Sequence, residues 1–419
     1  MTKKRKYFFM KKQSLILLFI HAYLILIGQN NINPHCGFNQ FKNTDSLFLN
    51  NVKQFDEELK RKLNTYQKDI LLRGTPIVIP VVVVHIVKHP LDENINDETV
   101  YSQIDALNRD FNAHNLDLNK VPIEFKKLIS KSGIRFCLTN KDTIGNSTNG
   151  IIRIKTNIKV IGLKDSLFDT HLGGSTAWNP DKYLNIWVAN TGDYITGMGS
   201  YPNAVPTYKS GVVVHPRYFG KNTTSKFGLG RVAVHEVGHY LGLYHTWGKV
   251  NDTLCETDDD VADTPPQLSA YFGCPTYPQY ACGQSSLFMN FMDYVDDPCM
   301  WLFTEGQMQR MLTTIETYRK GFLDSDVSCL KDLNKTINLF VYPNPTANQL
   351  FMTYEAVPNE TQADVRIFDL VGRMVFYTKL DFSIPPLSID VSDLPSGLYN
   401  LVFSVKDKLP IVQKIVVMR

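Results

Sequence analysis

Between residues 48 and 63 apolar side chains recur at three- and four-residue steps, at Phe48, Val52, Phe55, Leu59 and Leu63, which predicts an amphipathic helix. The pattern then changes. Residues 76–87, PIVIPVVVVHIV, form a nearly unbroken β-branched run that predicts a buried strand. The following NDETVYSQIDALNRDFNAHN offers an Asn or Asp cap, early acids and helical periodicity. GIRFCLT, KYLNIWVAN and GVVVHP are further strand runs; a helix is expected from about Gly228, and another near Thr304 with Glu305 and Gln307 in its first turn. From about Leu339 the chain turns to short alternating runs, VRIFDLVGRMVFYT, SIDVSDLPSGLYNLVFSV and PIVQKIVVM, broken by Gly, Pro and Asp. Such spacing predicts a small β-sandwich. The whole is an α+β chain of more than one domain.

Ahead of these elements a basic MTKKRKYFFMKKQ runs into the apolar SLILLFIHAYLILIG. Residues 1–29 read as a secretory signal peptide, with an uncleaved anchor as the competing reading, and no second apolar run approaches spanning length. The mature protein is therefore expected to be exported, soluble and without a transmembrane anchor. A polar stretch 30–72, a main domain 73–323, a linker 324–338 and the sandwich 339–419 complete the division. Among 419 residues the formal charge is +3, with 43% hydrophobic side chains, so no domain-sized basic face is available for nucleic acid. Export gives the seven cysteines a meaning, because an oxidising compartment favours disulfides. Cys255, Cys274, Cys282 and Cys299 crowd into one loop-rich stretch and suggest two local bridges. Cys36, Cys137 and Cys329 are each open to pairing or to a thiol.

The chemistry is concentrated in HEVGHYLGLYH, residues 235–245. Helix residues four apart share a face, so His235 and His239 can present two imidazoles to one ion, with Glu236 beside them. Gly242 can adopt a positive φ and end the helix, letting His245 return as a third ligand. Three neutral imidazoles leave a fourth position open, as at a catalytic zinc. HExxH alone is weak; the added xxGxxH makes it specific. His85, His114 and His215 read instead as ordinary strand or helix residues.

With these residues in place, the chain resembles the metzincin zinc endopeptidases, and among them the pappalysin family. HEVGHYLGLYHTW is followed by NFMDYVDDPC, similar to the family's Met-turn with Met292 beneath the metal, and GGSTAWNPDKYLNIWVAN resembles its substrate-binding edge strand. The likeness spans roughly residues 75–320 and implies a twisted sheet above a helical lower half. It implies hydrolysis of protein or peptide substrates by a zinc-activated water, with Glu236 as general base and Tyr294 as a hydrogen-bond donor to the developing oxyanion. It also implies bridges Cys255–Cys282 and Cys274–Cys299. In CETDDDVADTPP it implies a calcium site at Asp258, Asp260, Asp263 and Thr264, against the alternative of a solvated acidic turn.

In this setting PHCGFNQ resembles a cysteine switch: the thiolate of Cys36 would fill the open zinc position and make 30–72 a latency pro-segment. A disulfide to Cys137 or Cys329, or a plain thiol, are the alternatives. Related pappalysins with an acid after the Met-turn prefer arginine after the scissile bond, which implicates Asp297, with Asp296 behind it. Leu72-Arg73 then reads as a self-cleavage site. VYPNPTANQLFM, LPSGLYNLVF and the terminal KIVVMR resemble the sorting domain of type IX secretion cargo, implying that machinery as a partner and a secreted or surface location. The competing function is a catalytically silent surface binding or adhesion protein on the protease fold. Retention of Glu236, which a binding scaffold does not need, favours the enzyme.

Overall fold

The computed structural model describes residues 35–37, 46–66, 78–130, 133–222, 225–248, 255, 258–323, 339–354, 362–381, 387–405 and 411–419. The signal-peptide segment, Leu72-Arg73, the 324–338 linker and Cys329 lie outside them. Among the described residues no helix is long and apolar enough to cross a membrane. The chain divides into two compact units, Met1–Cys329 and Leu330–Arg419.

The first unit opens with helix α1 (Ser46–Tyr66). Its apolar stripe is the one written in the sequence: Phe55 and Leu59 are fully buried, Phe48 nearly so, and they pack on Tyr201 and Tyr244. Burying side chains of this size stabilises the contact by about 1.5–3 kcal/mol each. Strand β1 (Val78–Lys88) follows, then helix α2 (Asp97–Phe111), capped by Asn96, whose side chain accepts from the Thr99 amide at 2.9 Å. β1 is the axis of the sheet. β2 (Arg135–Leu138) pairs with its first half and β3 (Ile151–Lys155) with its second, while β4 (Leu184–Ala189) runs along the other side, all parallel. Beyond β4 the sheet ends with β5 (Gly197–Gly199) antiparallel to β6 (Val212–Val214), in the order β4-β6-β5.

This topology corrects the expected edge strand. All six residues of LNIWVA in β4 are buried, Trp187 included, and such a run needs cover on both faces, so it lies inside the sheet. The edge beside the cleft falls to the short glycine-bearing β5. His85, in β1, is a satisfied core residue: Nδ1 meets Ser175 Oγ at 2.7 Å, Nε2 meets Asn185 Oδ1 at 3.2 Å, and the ring stacks on Trp187.

Helix α3 (Arg231–Tyr240) carries the first two motif histidines and starts after Gly230, which sits at φ 78°. Among the described residues, the loop-rich stretch beyond it holds short strands, β7 (Phe272–Gly273), β8 (Tyr280–Ala281), β9 (Gln284–Ser285) and β10 (Tyr294–Val295). Disulfides Cys255–Cys282 and Cys274–Cys299 tie it together. In the chain-entropy picture a bridge of this span stabilises by roughly 3 kcal/mol. Cys137 is also disulfide-bonded, whereas Cys36 carries a thiol. Helix α4 (Glu305–Tyr318) begins with a capping box between Thr304 and Gln307.

The second unit is a two-sheet β-sandwich. β11 (Leu339–Tyr342), β12 (Gln349–Tyr354) and β15 (Leu387–Asp390) form one sheet; β14 (Met374–Asp381), β13 (Gln362–Phe368), β16 (Gly397–Val405) and β17 (Ile411–Val417) form the other. Alternate residues face inward, giving a core of Leu350, Met352, Val365, Ile367, Leu401, Phe403 and Ile415.

Candidate active site

One turn of α3 separates His235 from His239, and Gly242 ends the helix with φ 90°, so that His245 returns to the same point. Nε2 of His239 lies 3.1 Å from Nε2 of His235 and 3.0 Å from Nε2 of His245. These are not imidazole-to-imidazole hydrogen bonds. Nδ1 of His235 is 2.7 Å from the Phe291 carbonyl and Nδ1 of His239 is 2.8 Å from the Leu243 carbonyl. A carbonyl only accepts, so each Nδ1 carries the proton and both Nε2 lone pairs face inward. Burial holds the His235 pKa down to about 4, favouring the neutral imidazole a metal needs. Zinc–nitrogen bonds of about 2.0–2.1 Å in a tetrahedron place nitrogens roughly 3.3 Å apart, so the donor set fits that ion.

Around the histidines, absent side chains matter as much as present ones. A Cβ on Gly238 would lie 2.5 Å from Met292 Sδ, so the glycine lets the methionine seat directly beneath the helix. A Cβ on Gly199 would meet the Glu236 carbonyl oxygen at 2.2 Å, and one on Gly197 would meet Glu236 Cγ at 2.9 Å. β5 can therefore lie flat against α3. Gly197, Gly199 and Gly238 were not singled out in the sequence; the G-x-G of GMG is the local signal, and it acquires meaning only beside the helix.

Glu236 is fully buried, and burial raises its pKa to about 8. Cys36 Sγ donates to Glu236 Oε2 at 3.3 Å, and the other carboxylate oxygen has no partner. Ligating atoms of Cys36, His235, His239 and His245 all lie within 4.8 Å of one another. The Tyr294 ring sits 4.9 Å from that of His245, and its hydroxyl donates to the Cys36 carbonyl at 3.3 Å. Burial raises its pKa, keeping it a donor. Trp247 stacks on His245 at 4.3 Å.

The two pocket candidates separate. Asp297 is fully buried and lines the cavity that also contains Cys36, His235 and Glu236; Asp296 instead pairs with Lys226 at 3.0 Å. In the acidic loop, Asp258 accepts from the Asp260 amide and Asp260 pairs with Lys60 of α1 at 2.7 Å. Asp263 accepts from Thr304 Oγ1 at 2.7 Å and from the Gly306 amide at 2.9 Å, at the start of α4. Thr264 Oγ1 lies 2.6 Å from Asp259 Oδ1. Asp259, not among the expected ligands, is the buried acid of the loop, with one oxygen lacking a partner.

Comparison with known proteins gives this geometry a family. Residues 171–316 match the pregnancy-associated plasma protein-A peptidase family, and residues 340–418 match the secretion system C-terminal sorting domain. Mature mirolysin of Tannerella forsythia, solved with a cleaved peptide, is 39% identical over 60% of this chain and 96% of its own, with a TM-score of 0.57. A promirolysin variant from the same organism is 32% identical over 70% of this chain and 97% of its own, with a TM-score of 0.62. This chain belongs to the pappalysin family. An extracellular metalloprotease of Arthroderma otae is 29% identical over 57% of the chain and 77% of its own length. As a pappalysin, the protein is a metalloendopeptidase with peptide substrates and a histidine cluster for zinc. Its sorting domain marks this pappalysin as secreted or carried on the cell surface, with the secretion machinery as a partner.

Proposed function

We propose that this pappalysin is made as a latent precursor that cuts peptide bonds with Glu236 as general base and takes arginine after the scissile bond. The observation that carries the reading is the grouping of Cys36 with the three imidazoles, together with the cavity that Cys36, His235, Glu236 and Asp297 line. Zinc held by His235, His239 and His245 supplies Lewis acidity to the scissile carbonyl and the attacking water. Glu236 takes the water's proton and returns it to the leaving amine, because its carboxylate is the basic group next to the histidines. Tyr294 donates to the oxygen that gains charge. The catalytically silent alternative has no support in this set of side chains.

Latency follows from what the N-terminal residues occupy. The His35 amide donates to the Tyr194 carbonyl at 2.9 Å, and the Thr196 amide donates to the His35 carbonyl at 3.0 Å, so backbone just before β5 is taken. Cys36 then stands where water must enter. Gly37 is packed so closely that a Cβ would lie 2.4 Å from Met198 Cγ and 3.1 Å from Ile195 Cγ2. Cys36→Ala and Gly37→Ala precursors are therefore expected to cleave a reporter peptide before any processing, while the unmutated precursor does not. Equal latency in all three would remove the cysteine switch.

Calcium belongs to the same proposal, in the loop of Asp258, Asp260, Asp263 and Thr264. Its support is the acceptance of a cation already, the ammonium of Lys60 on Asp260, and the unpartnered oxygen of buried Asp259.

The test of the whole reading is mass spectrometry of a random peptide mixture incubated with processed protein, with a zinc-chelated control. Cuts before arginine that vanish on chelation are expected. Chelator-resistant cuts, or none from a folded zinc-loaded sample, would overturn it.

A further inference from the structure

The N-terminal segment meets the catalytic unit again through helix α1, away from the cysteine. Asp56 is 6% exposed, beside the apolar stripe of Val52, Phe55 and Leu59, and its carboxylate is enclosed by side chains distant in sequence. Arg310 Nη2 donates to Oδ1 at 2.8 Å, Tyr244 Oη donates to Oδ2 at 2.7 Å, and Tyr201 Oη lies 3.4 Å from Oδ1. Arg310, Tyr201 and Tyr244 are themselves at most 1% exposed. A buried guanidinium without an anion is costly, so a receptor of this kind asks for a carboxylate.

The same receptor holds the turn between the second and third histidines. Arg310 Nε donates to the Gly242 carbonyl at 2.7 Å, and Tyr201 Oη lies 3.0 Å from that oxygen. From α1, Phe55 presses on the same glycine: a Cβ there would meet Phe55 Cζ at 2.9 Å and Thr314 Oγ1 at 2.7 Å. Tyr201 also lies two residues after the β5 edge. One anion therefore fixes α4, the end of the edge strand and the turn that delivers His245.

We propose that Arg310, Tyr201 and Tyr244 form a carboxylate-binding site that reads the presence of the N-terminal segment through Asp56 and, through the carbonyl of Gly242, sets the position of His245. The proposal rests on 30–72 being a removable latency segment, but it concerns a site separate from Cys36. A free carboxylate of small size, such as formate or acetate, is the ligand that takes the place of Asp56 when that side chain is gone.

Chemical rescue tests this on the full-length chain. Asp56→Ala precursor is expected to release zinc to a chelator about tenfold faster than the unmutated precursor, the rate equivalent of one unsatisfied charged hydrogen bond. Formate should slow that release again in a saturable way, whereas chloride at the same ionic strength should not. Tyr244→Phe in the Asp56→Ala background should raise the formate concentration needed. Asp56→Asn, which keeps the shape and one acceptor oxygen, provides a folded comparison with an intermediate release rate. Formate acting no differently from chloride, or Asp56→Asn and Asp56→Ala both releasing zinc at the unmutated rate, would overturn the site. Cys36→Ala precursor, assayed beside them for early peptidase activity, reports on the latency reading alone, so the two failures are distinguishable.

Discussion

Glu236→Ala protein, processed and loaded with zinc, is expected to keep its metal and its fold while losing roughly 10²–10⁴-fold in kcat/KM on peptides, the range over which a positioned general acid–base group acts. The residue makes no contact that the zinc site depends on. Its carboxylate meets Cys36 with one oxygen and packs the other beside Gly197 of β5, whereas His235 and His239 are oriented by the Phe291 and Leu243 carbonyls. Truncation removes a base without loosening a ligand. The two readouts are zinc stoichiometry by atomic absorption and turnover of a peptide. A variant that binds zinc and still turns over at the original rate would sink the assignment of Glu236. Loss of zinc together with activity would show that the carboxylate is structural.

This separability explains why the zinc site was legible in the sequence. The spacing that can bring three imidazoles together is local: the four-residue step on α3, the positive φ at Gly242 and the return to His245 lie within eleven residues, although the Phe291 carbonyl on His235 and the Arg310 contact on Gly242 come from far along the chain. The amphipathic stripe of α1 and the Thr304–Gln307 box of α4 were readable for the same reason. What the sequence hid is pairwise and distant. Asp56 meets Arg310 across 254 positions, and neither residue stands out from its neighbours. GGSTAWNPDKYLNIWVAN resembles the family's edge strand, but its LNIWVA is wholly buried and pairs with both β1 and β6. Gly197, Gly199 and Gly238 are informative through what a Cβ would strike, which only the fold supplies. Asp259 is the member of its acid run that turns inward, which the run itself does not reveal.

The second large effect concerns Asp297 and is expected in the pH dependence of specificity. Its Oδ2 accepts from the Leu229 amide at 2.8 Å and the Arg231 amide at 3.2 Å, while Oδ1 is buried without a hydrogen-bond partner and the residue lines the cavity. Arg231 sits close by, but its guanidinium is committed: Nη1 donates to the Asp297 main-chain carbonyl at 2.6 Å and to Asp117 at 2.7 Å, and Nε to Asp110 at 3.1 Å. In the proposed reading this unpartnered oxygen is the one that a substrate guanidinium would pair with. Burial raises the Asp297 pKa to about 7, so the carboxyl is largely neutral on the acid side and ionised on the alkaline side of neutrality. Only the ionised form pairs with arginine. The ratio of kcat/KM for peptides with arginine after the scissile bond to those with leucine there should therefore rise with pH through about 7 and then level. Taking a ratio cancels titrations of groups that both peptides share, Glu236 among them. In Asp297→Asn, whose amide oxygen can still accept from Leu229 and Arg231, the ratio should fall by about 30-fold or more at alkaline pH, as for loss of one partner of a buried charge pair. It should also lose its pH dependence, because no proton remains to titrate. A flat ratio in the unmutated enzyme, or an Asn variant that still prefers arginine, would move the specificity determinant away from Asp297.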